Sequence, residues 1–233
     1  MARTLYEYFS YQGFSEIISK ADAKKNICRF DLPAQNACFL RHDIDFSLID
    51  AQEISKIESK QNIVSNFFIM VSSPIYNIYS QKSKMILKEL ISAGHLVGLH
   101  FDPSVYTSSE LVKCAQLEID ILENVIENEI KAVSIHNPSV HGNFLEIPNY
   151  INVYSQQYFN QKNYLSDSAY DFKVDPLKFI EESNSDSIQI LLHPLYYTSD
   201  NFIMLEFIDK LRKIYDDELD NVLKFHRKYP FRS

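Results

Sequence analysis

The sequence predicts an α/β fold whose mainly parallel sheet curls toward a barrel. Apolar, strand-like runs alternate along the chain with segments of helical period, the pattern of a parallel α/β protein. Four of the seven histidines, His42, His100, His136 and His193, stand at or just beyond the C-terminal ends of such runs. Parallel α/β folds collect catalytic and ligand-binding groups at that end. Polar groups from four strands converge more readily when the sheet closes, which favours a barrel over an open sheet.

Each element has a local reason. Leu5 to Lys20 reads as a helical extension, with Leu5, Phe9, Phe14, Ile17 and Ile18 apolar. Ala37 to Asp45 (ACFLRHDID) is the first strong strand, apolar at its start and polar at its end. Leu48, Ala51, Ile54 and Ile57 then recur every third residue, so a helix follows, with an N-cap candidate in Asp45-Phe46-Ser47. Ile63 to Met70 is a strand, Met85 to Ile91 the core of a helix that Gly94 stops, and Leu96 to Asp102 (LVGLHFD) a third strand. A long helix from about Ser109 carries Cys114, Leu117, Ile121 and Val125 on one stripe. Lys131 to His136 is a fourth strand. Between 141 and 185 the chain is rich in Asn, Tyr and Ser, with short strands expected at Ile151 to Tyr154 and Asn163 to Ser166. Ser187 to His193 (SIQILLH) is a late strand, and Met204, Ile208, Leu211, Tyr215 and Val222 mark a C-terminal amphipathic helix. The 233 residues read as one domain: an N-terminal helical extension over 1–36, a barrel over 37–200 and a C-terminal helix over 201–225.

Composition narrows the function classes. The net charge of −8 disfavours a broad nucleic-acid surface, because an acidic face gains nothing from counterion release. Three cysteines, Cys28, Cys38 and Cys114, are too few and too irregularly spaced for a disulfide framework or a CxxC metal knuckle. Residues 1–10 lack a basic region followed by an apolar run, and no stretch approaches the ~20 apolar residues of a membrane helix. A cytoplasmic protein without a transmembrane segment is the expectation.

Strand alternation sharpens the site. In RHDID, Arg41, Asp43 and Asp45 share one face, with His42 and Ile44 on the other. His100 and Asp102 share a face with Gly98, Ser134 shares one with His136, and Gln189 and Leu191 share one with His193. If those faces line one barrel mouth, Arg41, Asp43, Asp45, His100, Asp102, His136 and His193 converge. Two carboxylates among several imidazoles make a plausible site for zinc or a similar first-row ion, which would also relieve their mutual repulsion. Taken singly, each residue has a plainer role. His42 reads as an outward packing residue and His141 and His226 as surface; Asp102 before Pro103 can start a turn, and Asp167 can cap a helix. The tyrosines of 150–170 and Tyr196-Tyr197 suit a sugar ring or a half-buried surface equally.

Five segments in order, RHDID at 41–45, GHLVGLHFD at 94–102, SIHNPS at 134–139, LSDSAY at 165–170 and LLHP at 191–194, resemble the polysaccharide deacetylase superfamily. This is the NodB-homology, carbohydrate esterase family 4 group. The nearest likeness is to its Arg-His-Asp-Val/Ile-Asp subgroup, linked to lipopolysaccharide, O-antigen and capsule biosynthesis. The resemblance covers about residues 37 to 200. It implies a distorted (β/α) barrel of the NodB type, with about seven strands, and metal-dependent removal of an N-acyl group from an amino sugar. It further implies Asp43 as general base, Asp45 and His100 as metal ligands, and His193 as the acid. The family's second motif carries two histidines one helical turn apart, and the second falls here on Ser104. His95 matches a structural position in the preceding turn. The third ligand is therefore expected at His136, with Asp102 as second choice. Arg41, Asp102 and Asp167 are expected around the substrate; Arg41 could instead orient Asp43, and Asp167 could partner His193. The implied partner is an amino-sugar substrate, either a nucleotide sugar, a lipid-linked intermediate or a glycan, and the implied cofactor is one divalent ion, zinc first. Two other readings compete. One is a catalytically inactive, carbohydrate-binding relative. The other, suggested by the His42-Asp43 pair alone, is a metal phosphohydrolase, which would place that pair on a helix.

Overall fold

The structure, a computed structural model, describes residues 5–32, 34–107, 109–141, 144–199 and 204–225. A 3-10 turn over Leu5–Tyr8 leads into α1 (Tyr11–Lys24), whose N-cap Ser10 accepts from the Gly13 N–H. A short strand, β1 (Asn26–Ile27), precedes β2 (Ala37–Ile44), every residue of which is buried. Then come α2 (Leu48–Lys60), capped by Ser47, β3 (Asn66–Ile69), α3 (Gln81–Ser92) and β4 (Leu96–Phe101). Gly94 adopts φ +92° just after α3, a conformation natural only to glycine, and ends that helix as expected. The chain continues through α4 (Leu111–Ile126), β5 (Ala132–Ile135), the single turn α5 (Pro138–His141), β6 (Ile151–Asn152) and β7 (Tyr164–Ser166). It finishes with α6 (Pro176–Glu182), β8 (Ser187–Leu192) and α7 (Met204–Phe225). Among the described residues no helix is long and apolar enough to cross a membrane.

The strands pair in the order β6-β5-β4-β3-β2-β8-β7, with β1 beside the start of β2, and every pairing is parallel. The seven-strand path is a curled half-barrel. Among the described residues β6 and β7 are not paired, so the barrel is distorted and does not close by hydrogen bonding. The Gln189 amide bridges that side instead, donating to the carbonyls of Val153 (2.9 Å) and Tyr158 (3.1 Å).

Alternation divides the core in two. On the outer face Cys38, Leu40, Phe67, Leu99, Val133, Ile188 and Ile190 pack with the apolar sides of the helices. Inside the curl lies a smaller cluster of Phe30, Ala37, Phe39, Phe68, Leu96, Ala132 and Val153. Phe30 stacks on Phe39 with centroids 4.8 Å apart, so aromatic rings plug the bottom of the half-barrel. Gly98 faces this interior; a Cβ there would come within 2.6 Å of both the Ala132 carbonyl oxygen and the Phe68 ring.

The apolar stripe expected on α4 is corrected. On α4 the buried face is Ala115, Ile119, Leu122 and Ile126 with Val125, while Leu117 is 58% exposed. The expected stripe was offset because the sheet, not the helix, selects which face is covered. β1 and α6 had no period long enough to reveal them. Along α7, the side chains of Met204, Ile208, Leu211 and Val222 lie outside the described set, and Tyr215 is exposed. His226 and the His141 side chain also lie outside it.

Candidate active site at the mouth of the half-barrel

Above the aromatic plug the interior turns polar. Arg41 is fully buried, its guanidinium 5.9 Å from the Phe68 ring centroid and 4.5 Å from that of Tyr154. Nε and Nη2 grip both oxygens of Asp43 at 2.8 and 2.5 Å, and Nη1 donates to Gln189 Oε1 at 3.0 Å. Nη2 also reaches the hydroxyls of Ser134 and Tyr154, each at 2.7 Å. The expectation that Arg41 binds substrate is thereby corrected: its donors are spent inside the protein, and its work is to hold Asp43 in a two-pronged grip. Burial pushes the Asp43 carboxyl up, but Arg41, aided by His100 and His193, holds it below the usual carboxylate range.

Just past the end of β2, Asp45 meets two histidines. Asp45 Oδ1, His100 Nε2 and His136 Nδ1 form a triangle with sides of 3.0, 3.1 and 3.4 Å. Donors bound ~2.0–2.2 Å from one first-row ion stand about 3.0–3.5 Å apart, so the triangle fits an ion without rearrangement. Asp45 Oδ1 is buried, and among the described residues nothing reaches it in hydrogen-bonding geometry; both ring nitrogens approach it out of line. A buried carboxylate oxygen left so is costly, and a cation between it and the imidazoles removes the cost. Burial pushes Asp45 up, but His100 and His136 hold it well below the usual range. Burial likewise pushes His136 down, and Asp45 reverses that and raises it.

Ser134 ties the two clusters together. Its hydroxyl accepts from Arg41 and donates to Asp43 Oδ2 at 3.2 Å, and His100 Nδ1 lies 3.0 Å from it. With its proton committed to the carboxylate, the hydroxyl is an acceptor for His100 Nδ1–H. The Nε2 lone pair then faces Asp45 and His136, the tautomer a metal ligand needs. His136 Nε2 is 2.8 Å from the Asn137 side-chain amide, whose residue takes the left-handed φ of 43° that asparagine tolerates.

His193 closes the other side. It follows β8, and its Nε2 lies 3.9 Å from Asp45 Oδ2. Its Nδ1 is 2.5 Å from Oδ1 of the buried Asp167, which also accepts from the His193 N–H at 2.9 Å and the Tyr197 hydroxyl at 3.0 Å. Burial pushes the imidazolium down, but Asp167, with Asp45 and Asp43 behind it, carries His193 up to about 9. Asp167 was expected at the substrate or beside His193. It is fully buried and occupied by His193, so the substrate role is corrected. It makes no helix-cap bond.

Asp102 takes the turn-starting role that its place before Pro103 suggested. Its carboxylate accepts the Ser104 N–H at 2.8 Å and starts a 3-10 turn over Pro103–Val105. Among the described residues, the group that could hold an ion is Asp45, His100 and His136; Ser104, where the resembled motif carries a second histidine, is exposed. Tyr197 is buried against Asp167 and is closed to a sugar, whereas half-buried Tyr196 lies with its ring 5.3 Å from that of His193. Ser134, Gln189 and Tyr154 belong to the site without having been singled out. Alternation placed Ser134 and Gln189 on the right faces, but nothing local marked them as partners of Arg41.

No family model matches the chain, and no curated protein matches it. It is similar to several solved structures. The chitin deacetylase of the fungal pathogen Colletotrichum lindemuthianum is 16% identical, with 76% of this chain and 82% of that one covered and a TM-score of 0.47. A carbohydrate esterase family 4 pseudoenzyme from Bacillus anthracis is 15% identical with a TM-score of 0.45; the match covers 78% of this chain and 62% of that one, so this chain spans under two thirds of its length. A polysaccharide deacetylase from Bacillus cereus is 15% identical, with 67% and 78% covered and a TM-score of 0.45.

Proposed function

We propose that this chain is a metal-dependent carbohydrate N-deacylase of the carbohydrate esterase family 4 type. It removes an acetyl or formyl group from an amino sugar during surface-polysaccharide or O-antigen assembly in the cytoplasm. One observation carries the reading: at a single barrel mouth, an oriented carboxylate (Asp43), an Asp45–His100–His136 donor triangle and an Asp167-held imidazole (His193) face one another. The motif order that resembles the superfamily supports it independently. The alternative placement of the His42-Asp43 pair on a helix does not hold, since both residues lie on β2.

Asp45, His100 and His136 would hold the ion, and their mixed carboxylate and imidazole character suits zinc. When bound, the ion supplies Lewis acidity that polarises the amide carbonyl. Asp43, kept ionised and fixed in direction by Arg41, takes the proton of the attacking water. The C–N bond breaks, and His193 Nε2–H delivers a proton to the departing sugar amine. Asp167 keeps that ring charged and aimed until then. Tyr196 borders the acid on the open side and offers a ring face to the sugar.

The test is product release. Zinc-supplied protein is incubated with N-acetyl- and N-formyl-amino sugars, free, nucleotide-linked and oligomeric, and free amine and carboxylate are quantified. Release by the wild type that falls at least ~100-fold in Asp43→Asn and His193→Ala bears the reading out. A protein that holds zinc and binds glycan but releases nothing is the inactive carbohydrate-binding relative instead.

A further inference from the structure

The face of β2 opposite Arg41 and Asp43 carries a second buried polar network that the proposed chemistry does not use. His42 is fully buried; its Nδ1 lies 3.1 Å from the Leu192 carbonyl oxygen and its Nε2 2.7 Å from Glu58 Oε1. A carbonyl oxygen only accepts, so Nδ1 carries a proton and donates it. Glu58, also fully buried, accepts the Ser65 hydroxyl at 2.7 Å through its other oxygen. His95 Nδ1 accepts the Ser65 N–H at 3.0 Å, and its Nε2 meets the Ser55 hydroxyl at 2.9 Å. The rings of Phe14 and Phe67 flank His42 at 5.9 and 4.7 Å. The imidazole therefore has one orientation, set from α2 by Glu58.

What that orientation serves is visible in the next peptide. The carbonyl of Leu192 and the N–H of His193 belong to one planar peptide unit. His42 holds its oxygen, and Asp167 Oδ2 holds its N–H at 2.9 Å. The unit is gripped at both ends, by His42 from β2 and by Asp167 just past β7, at the point where the register between β2 and β8 ends, at His42 opposite Leu192. Rotation of that plane would swing the His193 ring away from Asp167 Oδ1. We propose that His42, oriented by Glu58, is a positioning residue for His193, clamping the Leu192–His193 peptide so that the imidazole meets Asp167 on one side and the reaction site on the other. The inference rests on the reading of His193 as proton donor.

Two polar substitutions separate the clamp from mere core filling. His42→Asn places an amide NH2 where Nδ1 stands, within reach of the Leu192 carbonyl; His42→Gln places it where Nε2 stands, within reach of Glu58 only. The first readout is the low-field proton resonance of His193 Nδ1–H, which needs neither metal nor substrate. The second is kcat against KM for deacylation. H42N is expected to keep the resonance and a kcat within about threefold of the wild type. H42Q is expected to lose or shift the resonance and to lower kcat about tenfold or more, with KM within about twofold. An H42Q protein with the wild-type resonance, or an H42N protein as impaired as H42Q, overturns the clamp. Should H42Q not fold, the nitrogen spectrum of wild-type His42 decides: a protonated Nδ1 is required, and a bare one overturns the proposal. A wild type inactive on every substrate would sink the proposed function, and the resonance would still judge the clamp.

Discussion

Asp167 holds His193 at two points, the ring Nδ1 at 2.5 Å and the backbone N–H at 2.9 Å. A carboxylate that grips both the side chain and the main chain of one histidine fixes where the ring points as well as its charge. The Tyr197 hydroxyl, donating to the same carboxylate at 3.0 Å, keeps Asp167 from rotating out of that grip.

The pH dependence follows from that pair. His193 titrates at about 9 in the folded chain, above its ordinary 6.5, so the proton needed for the leaving amine is present through neutral pH. With His193 as the proposed proton donor, activity is expected to fall as pH rises through about 9. The stability from the pair has the same sign: complete below the unfolded value of 6.5 and lost as pH rises through the folded one. Asp167→Asn removes the anion and draws the alkaline limb of kcat/KM down toward 6.5, costing about tenfold or more in rate at pH 8. An unchanged limb would show that His193 is not the group that titrates.

Metal content tests the donor triangle. Zinc-supplied wild type is expected to hold about one ion per chain by elemental analysis. Asp45→Ala, His100→Ala and His136→Ala should each lose it, and Asp102→Ala should keep it. Ser134→Ala should bind about 10–100-fold more weakly, because His100 loses the acceptor that selects its tautomer. Retention of the ion by His136→Ala would remove His136 from the ligand set.

Arg41→Lys keeps the charge and loses the two-pronged grip on Asp43. Breaking one side of a buried, hydrogen-bonded pair costs about 3–5 kcal/mol, and a lysine retaining part of the contact should lose the lower end of that range. Urea unfolding reads the loss directly. Deacylation should fall with it while metal content stays at wild-type level, since Arg41 touches none of the three donors.

Gly98→Ala probes the packing beneath the site. The added methyl meets the Ala132 carbonyl and the Phe68 ring at 2.6 Å, so β4 must shift against β5. Overpacking of this kind costs roughly 1–3 kcal/mol, read as a lower Tm. Because His100 stands two residues on along the same face of β4, zinc affinity should fall as well.

Much of the site was legible from one rule. Side chains alternate along a strand, so RHDID had to send Arg41, Asp43 and Asp45 to one face and His42 to the other, and the folded chain does so. The same rule placed His100 and Ser134 toward the interior. What it could not say was which polar groups on a shared face would touch. Arg41 was expected either at the substrate or orienting Asp43, and Asp167 either at the substrate or beside His193, because alternation selects a face and not a contact. Their burial depends on what the opposite strands bring to meet them.

Local periodicity in the sequence already carried the parallel α/β class and the strand faces on which the carboxylates and imidazoles stand. Tertiary structure alone decided the partners. The register of β7 against β8 sets Asp167 beside His193, and the pairing of β4 with β5 sets Ser134 against His100. Contacts between strands distant in sequence are fixed by how the sheet assembles, which no window of neighbouring residues contains. The same pairing of β4 with β5 brings His136 beside His100 and Asp45.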